Sequence, residues 1–94
     1  MAVLHIEHEV DDLATWLHAF RTSAPAREAA GVTRTEVYQR SDDPNCIVIN
    51  LGFDSVEAAS RFRGFLIERI WSSPDSAAAV VGIPVTRVLE EVTL

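Results

Sequence analysis

The sequence predicts an α+β domain in the order β-α-β-β-α-β, with a four-stranded antiparallel sheet and the helices on one face. Three observations predict it. Within Val3–Phe20 the apolar period switches from two to 3.6, so a strand runs directly into a helix. Two strand-like runs, Val32–Arg40 and Cys46–Phe53, are separated only by SDDPN, a turn short enough to make them an antiparallel hairpin. A second helical stripe then leads into a last apolar run, Pro84–Val92.

In the first strand Leu4, Ile6 and His8 share one face, while Val3, His5, Glu7 and Glu9 share the other. His5 and His8 therefore point to opposite sides of the sheet unless a bulge intervenes. Leu13, Trp16, Leu17 and Phe20 form one apolar stripe of a helix over Leu13–Arg21, and Asp11 or Asp12 caps it. His18 lies off that stripe and is expected to face solvent. Ser23–Gly31 reads as a short helical turn, with Ser23 as cap, Pro25 near its start and Gly31 ending it in the left-handed conformation.

In the second strand Thr33, Thr35, Val37 and Gln39 line one face, and Arg34, Glu36, Tyr38 and Arg40 the other. Asp54 with Glu57 resembles a capping box opening the second main helix. Val56, Ala59, Phe62, Leu66 and Ile70 are its buried stripe, and it should stop near Trp71 because Pro74 disfavours helix at Ser73. Ser73–Pro74 then reads as the start of a further short helix that Gly82 terminates. The complete order is the ferredoxin-like split βαβ pattern.

Composition narrows the class. The 94 residues make one small domain, 1–94, and 48% apolar with 23% charged content is that of a folded chain. A net charge of −6, with every basic residue an arginine, argues against nucleic acid or an anionic membrane as partner. No apolar stretch is long enough to span a bilayer, and no signal peptide is evident. A lone cysteine, Cys46, suits a reducing cytoplasm, and no basic cluster near it in sequence suggests a lowered thiol pKa.

Helices on one face would leave the other sheet face polar in a monomer. Val48 and Cys46 lie opposite Ile47, Ile49, Leu51 and Phe53, and the last strand is apolar on both sides, through Val85/Leu89 and Val88/Val92. A sheet apolar on both faces needs a second cover, and a two-fold copy of the chain is the simplest. A homodimer is the expected partner state.

The chain resembles the dimeric α/β-barrel superfamily, which includes antibiotic-biosynthesis-monooxygenase-like and stress-responsive barrel proteins. Within it the chain is most similar to a small, largely actinobacterial group of unassigned function. The carrying residues are His8, Val10, Asp12 and Trp16, then Phe20, the segment Arg27-Glu28-Ala29-Ala30-Gly31-Val32, Val37-Tyr38, and the turn Asp42-Asp43-Pro44-Asn45. The resemblance implies a ferredoxin-like protomer that dimerises into an α/β barrel. It also implies a cleft between sheet and helices for a small hydrophobic or aromatic molecule, and no cofactor.

Each candidate residue has a functional and a structural reading. His8 is a candidate general base or ligand donor, or else packs on Trp16 or bonds a loop carbonyl. His5 and Glu7 share a face, but no third or fourth ligand accompanies them, so no metal is expected. Asn50 interrupts an apolar strand and must bond either a neighbour or a ligand. Arg87 could hold a carboxylate or phenolate, or pair with a strand neighbour such as Glu36. Trp16 and Tyr38 are candidates for the pocket wall, or belong to the core. Two functions follow. In the first, His8 is the base of a cofactor-independent monooxygenase or cyclase-like enzyme, Asn50 and Arg87 orient an oxygen, and His5, Trp16 and Tyr38 contact the ligand. In the second, the chain is a non-catalytic homodimeric binding or assembly domain.

Overall fold

The structure is a computed structural model, and it describes residues 1–73, 77 and 79–94. Four strands, β1 (Ala2–Val10), β2 (Arg34–Gln39), β3 (Cys46–Phe53) and β4 (Val80–Glu90), form an antiparallel sheet in the order β2-β3-β1-β4. The helices α1 (Leu13–Thr22), α2 (Ala24–Ala29) and α3 (Val56–Phe65) connect them, and α3 continues into a π-helical turn over Leu66–Ile70. The ferredoxin-like order is as the sequence predicts. Among the described residues no helix is long and apolar enough to cross a membrane.

The two central strands carry the core because they alternate. Leu4, Ile6 and Val10 of β1, with Ile47, Ile49, Leu51 and Phe53 of β3, are buried on the helix face beside Trp16, Ala59 and Phe62. Removing such side chains from water contributes about 1.5–3 kcal/mol each. Asp12 is the cap of α1: Oδ1 accepts from the backbone N–H groups of Ala14 and Thr15 at 3.1 and 3.3 Å. Ser23 occupies the cap position of α2 but makes no side-chain capping bond there, and Gly31 ends the turn at φ +93°. The cap of α3 is Ser55, not Asp54. Ser55 is extended and its Oγ accepts from Ala58 N at 3.1 Å. This shifts the helix frame by one residue, so Glu57 does not occupy the position a capping box requires.

The ends of two strands differ from the sequence reading. The regular part of β2 is two residues shorter at its start, although Thr33 N still donates to Gly52 O at 2.8 Å. β4 begins at Val80 rather than Pro84 and ends at Glu90 rather than Val92. The expected helix at Ser73–Pro74 falls outside the described residues, but Gly82 does not terminate it: Gly82 is inside β4. The reason is a bulge. Glu7 faces Val85 and Glu9 faces Val81, so Gly82, Ile83 and Pro84 stand opposite the single residue His8. Gly82 supplies the φ of +75° that the bend requires, and Pro84, which has no N–H to donate, is tolerated there. The bulge lies on β4, whereas the β1–β3 register is continuous from Ala2 to Glu9. His5 and His8 therefore keep opposite faces.

Among the described residues no helix covers the second face of the sheet. The register sets rows across it: Arg34, Gly52, Val3, Leu89; then Glu36, Asn50, His5, Arg87; then Tyr38, Val48, Glu7, Val85. Tyr38, Val81, Val85 and Leu89 are 43–51% exposed there.

Candidate functional site

Between the sheet and the helices lies a cavity of about 180 Å3, open on one side. Its floor is the helix face of β1 and β3, where Ile6, His8, Ile49 and Leu51 alternate inward. α1 contributes Trp16 and Phe20, α2 contributes Arg27, and α3 contributes Phe62 and Phe65. The π-helical turn closes the far wall. Trp71 N donates to Leu66 O at 2.8 Å, five residues back, and this wider turn lets Leu66, Ile70 and Trp71 all line the cavity.

His8 is the buried polar residue of the core, 6% exposed. Its ring meets Trp16 edge-on, with centroids 5.5 Å apart. Its Nδ1 lies 3.2 Å from the Glu9 carbonyl oxygen. A carbonyl only accepts, so Nδ1 carries the proton and Nε2 is left with a lone pair. Burial lowers the His8 pKa below its ordinary 6.5, and the Glu9 carbonyl offsets this in part. His8 is accordingly neutral at pH 7, and Nε2 is a hydrogen-bond acceptor or proton acceptor in an apolar setting. The packing on Trp16 expected for His8 is present, the carbonyl it bonds belongs to β1 rather than to a loop, and both contacts leave Nε2 uncommitted.

From His8 an aromatic row crosses the cavity wall. Trp16 stacks on Phe20 at 4.9 Å and 23° between planes. The Arg27 guanidinium carbon lies 3.7 Å from the centre of the Phe20 ring. Arg27 Nη1 donates to Phe20 O at 2.7 Å and to Ser23 Oγ at 2.9 Å.

Asn50, Arg87, His5 and Tyr38 are not in this cavity. The structure places all four on the open sheet face, so they cannot act with His8 on one bound molecule, and the grouping of His8 with Asn50 and Arg87 is corrected. Side chains alternate, and Asn50, His5 and Arg87 are neighbours in one row while His8 has the opposite parity. Asn50 Oδ1 is satisfied by His5 Nδ1 at 2.7 Å. Glu7 lies 3.9 Å from His5 Nε2. Arg87 does not pair with Glu36, because β1 and β3 lie between them, roughly 14 Å of sheet. Glu36 instead binds Arg34 at 2.7 Å and accepts from the Tyr38 hydroxyl at 3.1 Å. That bond to a carboxylate raises the Tyr38 pKa, and Tyr38 is half-exposed rather than core. Among the described residues no three His, Cys, Asp or Glu side chains converge as a metal site.

No family model matches the chain, and no curated protein does. Solved structures do. A solved antibiotic biosynthesis monooxygenase superposes with a TM-score of 0.67 at 10% identity, covering 99% of this chain and 100% of its own. A NIPSNAP family protein from Agrobacterium tumefaciens gives 0.63 at 16% identity, covering 97% and 92%. Rv0793 from Mycobacterium tuberculosis gives 0.64 at 15%, covering 100% and 98%. The fold is antibiotic-biosynthesis-monooxygenase-like. At these identities the likeness establishes the ferredoxin-like fold and not an activity.

Within that fold, sequence reasoning found His8 and Trp16 because strand and helix periods meet in one continuous stretch. It missed Arg27, Phe65 and Trp71 as site residues. Arg27 carried a signal, since it lies in the resembling segment and follows Phe20 by seven residues, two helical turns, although the α1–α2 junction interrupts that spacing. Phe65 and Trp71 carried none, since only the π-helical turn brings Trp71 round to the wall that Phe65 borders.

Proposed function

We propose that the chain is a homodimer, joined through the open sheet faces, that binds a small aromatic molecule in the cavity between sheet and helices of each protomer. The cavity carries this reading: about 180 Å3 of space walled by aromatic rings, with the neutral His8 as its buried polar group. Engineered apolar cavities of about 150 Å3 hold benzene, so one substituted ring is the natural size of occupant. Nε2 favours a ligand that donates a hydrogen bond, such as a phenol. The half-exposed Tyr38, Val81, Val85 and Leu89 on the opposite face support the dimer.

Two readings of the cavity follow, and they differ in chemistry. The name of one structural neighbour, an antibiotic biosynthesis monooxygenase, suggests oxidation of an electron-rich ring. His8 would remove the hydroxyl proton, and the resulting anion would react with dioxygen. The second reading is binding without turnover. It is favoured by the His8 hydrogen bond: Nδ1 is oriented by a backbone carbonyl, not by a carboxylate that would raise its basicity, and burial weakens it further as a base. We take binding as the better supported reading.

The test is a titration of the protein with phenol and with hydroquinone, followed by tryptophan fluorescence, with oxygen uptake recorded for hydroquinone. Quenching with saturation is expected, and it should weaken about tenfold in His8→Leu. Oxygen uptake by wild type that His8→Leu abolishes would establish catalysis. Absence of saturable binding to either compound would overturn the cavity reading.

A further inference from the structure

Resting on the cavity reading, we infer that the occupant is a single-ring hydroxy-aromatic carboxylate, held with its hydroxyl on His8 and its carboxylate on Arg27. Arg27 is the second polar group of consequence at the cavity, and its side chain is fixed. Both Nη1 hydrogens are committed, to Phe20 O and Ser23 Oγ, while the guanidinium lies over the Phe20 ring. Every one of these contacts is to a neutral group. Among the described residues the arginines in ion pairs are Arg34, with Glu36, and Arg40, with Asp42, so Arg27 faces the cavity outside these pairs.

A guanidinium carries five N–H donors, and two are used among the described residues. The Nε and Nη2 edge remains, and this is the edge that receives a carboxylate through two parallel bonds. Burial disfavours the Arg27 cation more than the nearby Glu28 carboxylate favours it, and an anionic ligand would relieve that cost. The net charge of −6 works against an approaching anion, so Arg27 supplies the local attraction for an acid at the cavity.

The aromatic row defines the ligand's shape. Arg27, Phe20, Trp16 and His8 follow one another at 3.7, 4.9 and 5.5 Å, with the cation at one end and the acceptor at the other. A flat ring against this wall would meet Arg27 with an anionic substituent and His8 with a donor.

The experiment compares 4-hydroxybenzoate, its methyl ester and phenol, titrated into the full chain at pH 7.5 by calorimetry. The acid is expected to bind about tenfold or more tightly than the ester on wild type. Arg27→Met should abolish that preference, read as the ratio of acid to ester affinity within the same variant, and Arg27→Lys should retain part of it. Equal affinity of acid and ester for wild type would overturn the inference, a measurement that needs no variant to fold. So would a preference that persists in Arg27→Met. If phenol and ester bind and only the acid preference is missing, the cavity reading stands and the role of Arg27 falls. If none of the three binds, both fall.

Discussion

Lowering the pH from 7.5 to 5.5 should destabilise the protein through His8, by an amount that can be bounded. Burial depresses the His8 pKa in the folded state below the 6.5 of an unfolded chain. Above pH 6.5 both states are neutral and His8 contributes no pH dependence. Below it the unfolded state takes up a proton that the folded state refuses, so stability falls as pH falls, until the folded-state pKa is reached. The slope cannot exceed about 1.4 kcal/mol per pH unit for one group, and the loss between pH 7.5 and 5.5 is at most about 1.4 kcal/mol. For a domain of this size that amounts to a melting shift of several degrees, with a ceiling of about 10 °C. The assay is urea unfolding at pH 7.5, 6.5 and 5.5 at one fixed protein concentration, because the stability of the proposed dimer would depend on concentration. His8→Gln removes the titrating ring, while His5, His18 and the carboxylates remain common to both proteins. Wild type should lose more stability than His8→Gln over this range. Identical losses would refute a buried neutral His8, and with it the assignment of Nε2 as an acceptor.

The other predictions concern the caps, the packing and the assembly. Ser55→Ala should cost about 1 kcal/mol of unfolding free energy and Asp54→Ala less than about 0.5, since Ser55 holds the Ala58 N–H; the reverse order in urea titrations would restore Asp54 as the cap. Gly52→Ala should destabilise by about 1–3 kcal/mol, because a Cβ there would meet Thr33 Oγ1 at 3.1 Å and Arg34 Cβ at 3.2 Å; an unchanged urea midpoint would show that β2 yields freely. Val85→Asp, on the open face, should convert a micromolar dimer to a monomer in sedimentation velocity with its circular dichroism unchanged, and a wild type that sediments as a monomer would refute the dimer.

Much of the fold was legible because its signals are local. β3 begins at Cys46 and ends at Phe53 as its alternation and flanking turn predict. α1 begins at Leu13 behind Asp12, because a cap and the first turn it serves are three residues apart. β4 was misread at its start for a physical reason: Gly82 and Pro84 are helix and strand breakers in any local reading, and only pairing against β1 turns them into a bulge. Ser55 was overlooked because Asp54 offers the same capping chemistry one residue earlier, and the backbone conformation decides between them.

For the site, the sequence by itself determined parity. His8 was placed with Leu4 and Ile6, and apart from His5, because a strand alternates wherever it is. It likewise placed Trp16 on the core stripe of α1, since 3.6 residues per turn is also a local rule. What only the tertiary structure decided is which faces meet. Periodicity says that Asn50 and Arg87 point to a face but not whether His8 shares it across strands, and the register sends them to the other side of the sheet. The cavity and its row from His8 to Arg27 likewise depend on α1, α2 and the π-helical turn closing over β1 and β3. The row itself is short in sequence, but the walls that Ile49, Leu51, Leu66, Ile70 and Trp71 supply come from far along the chain, and no local period encodes a distance to them.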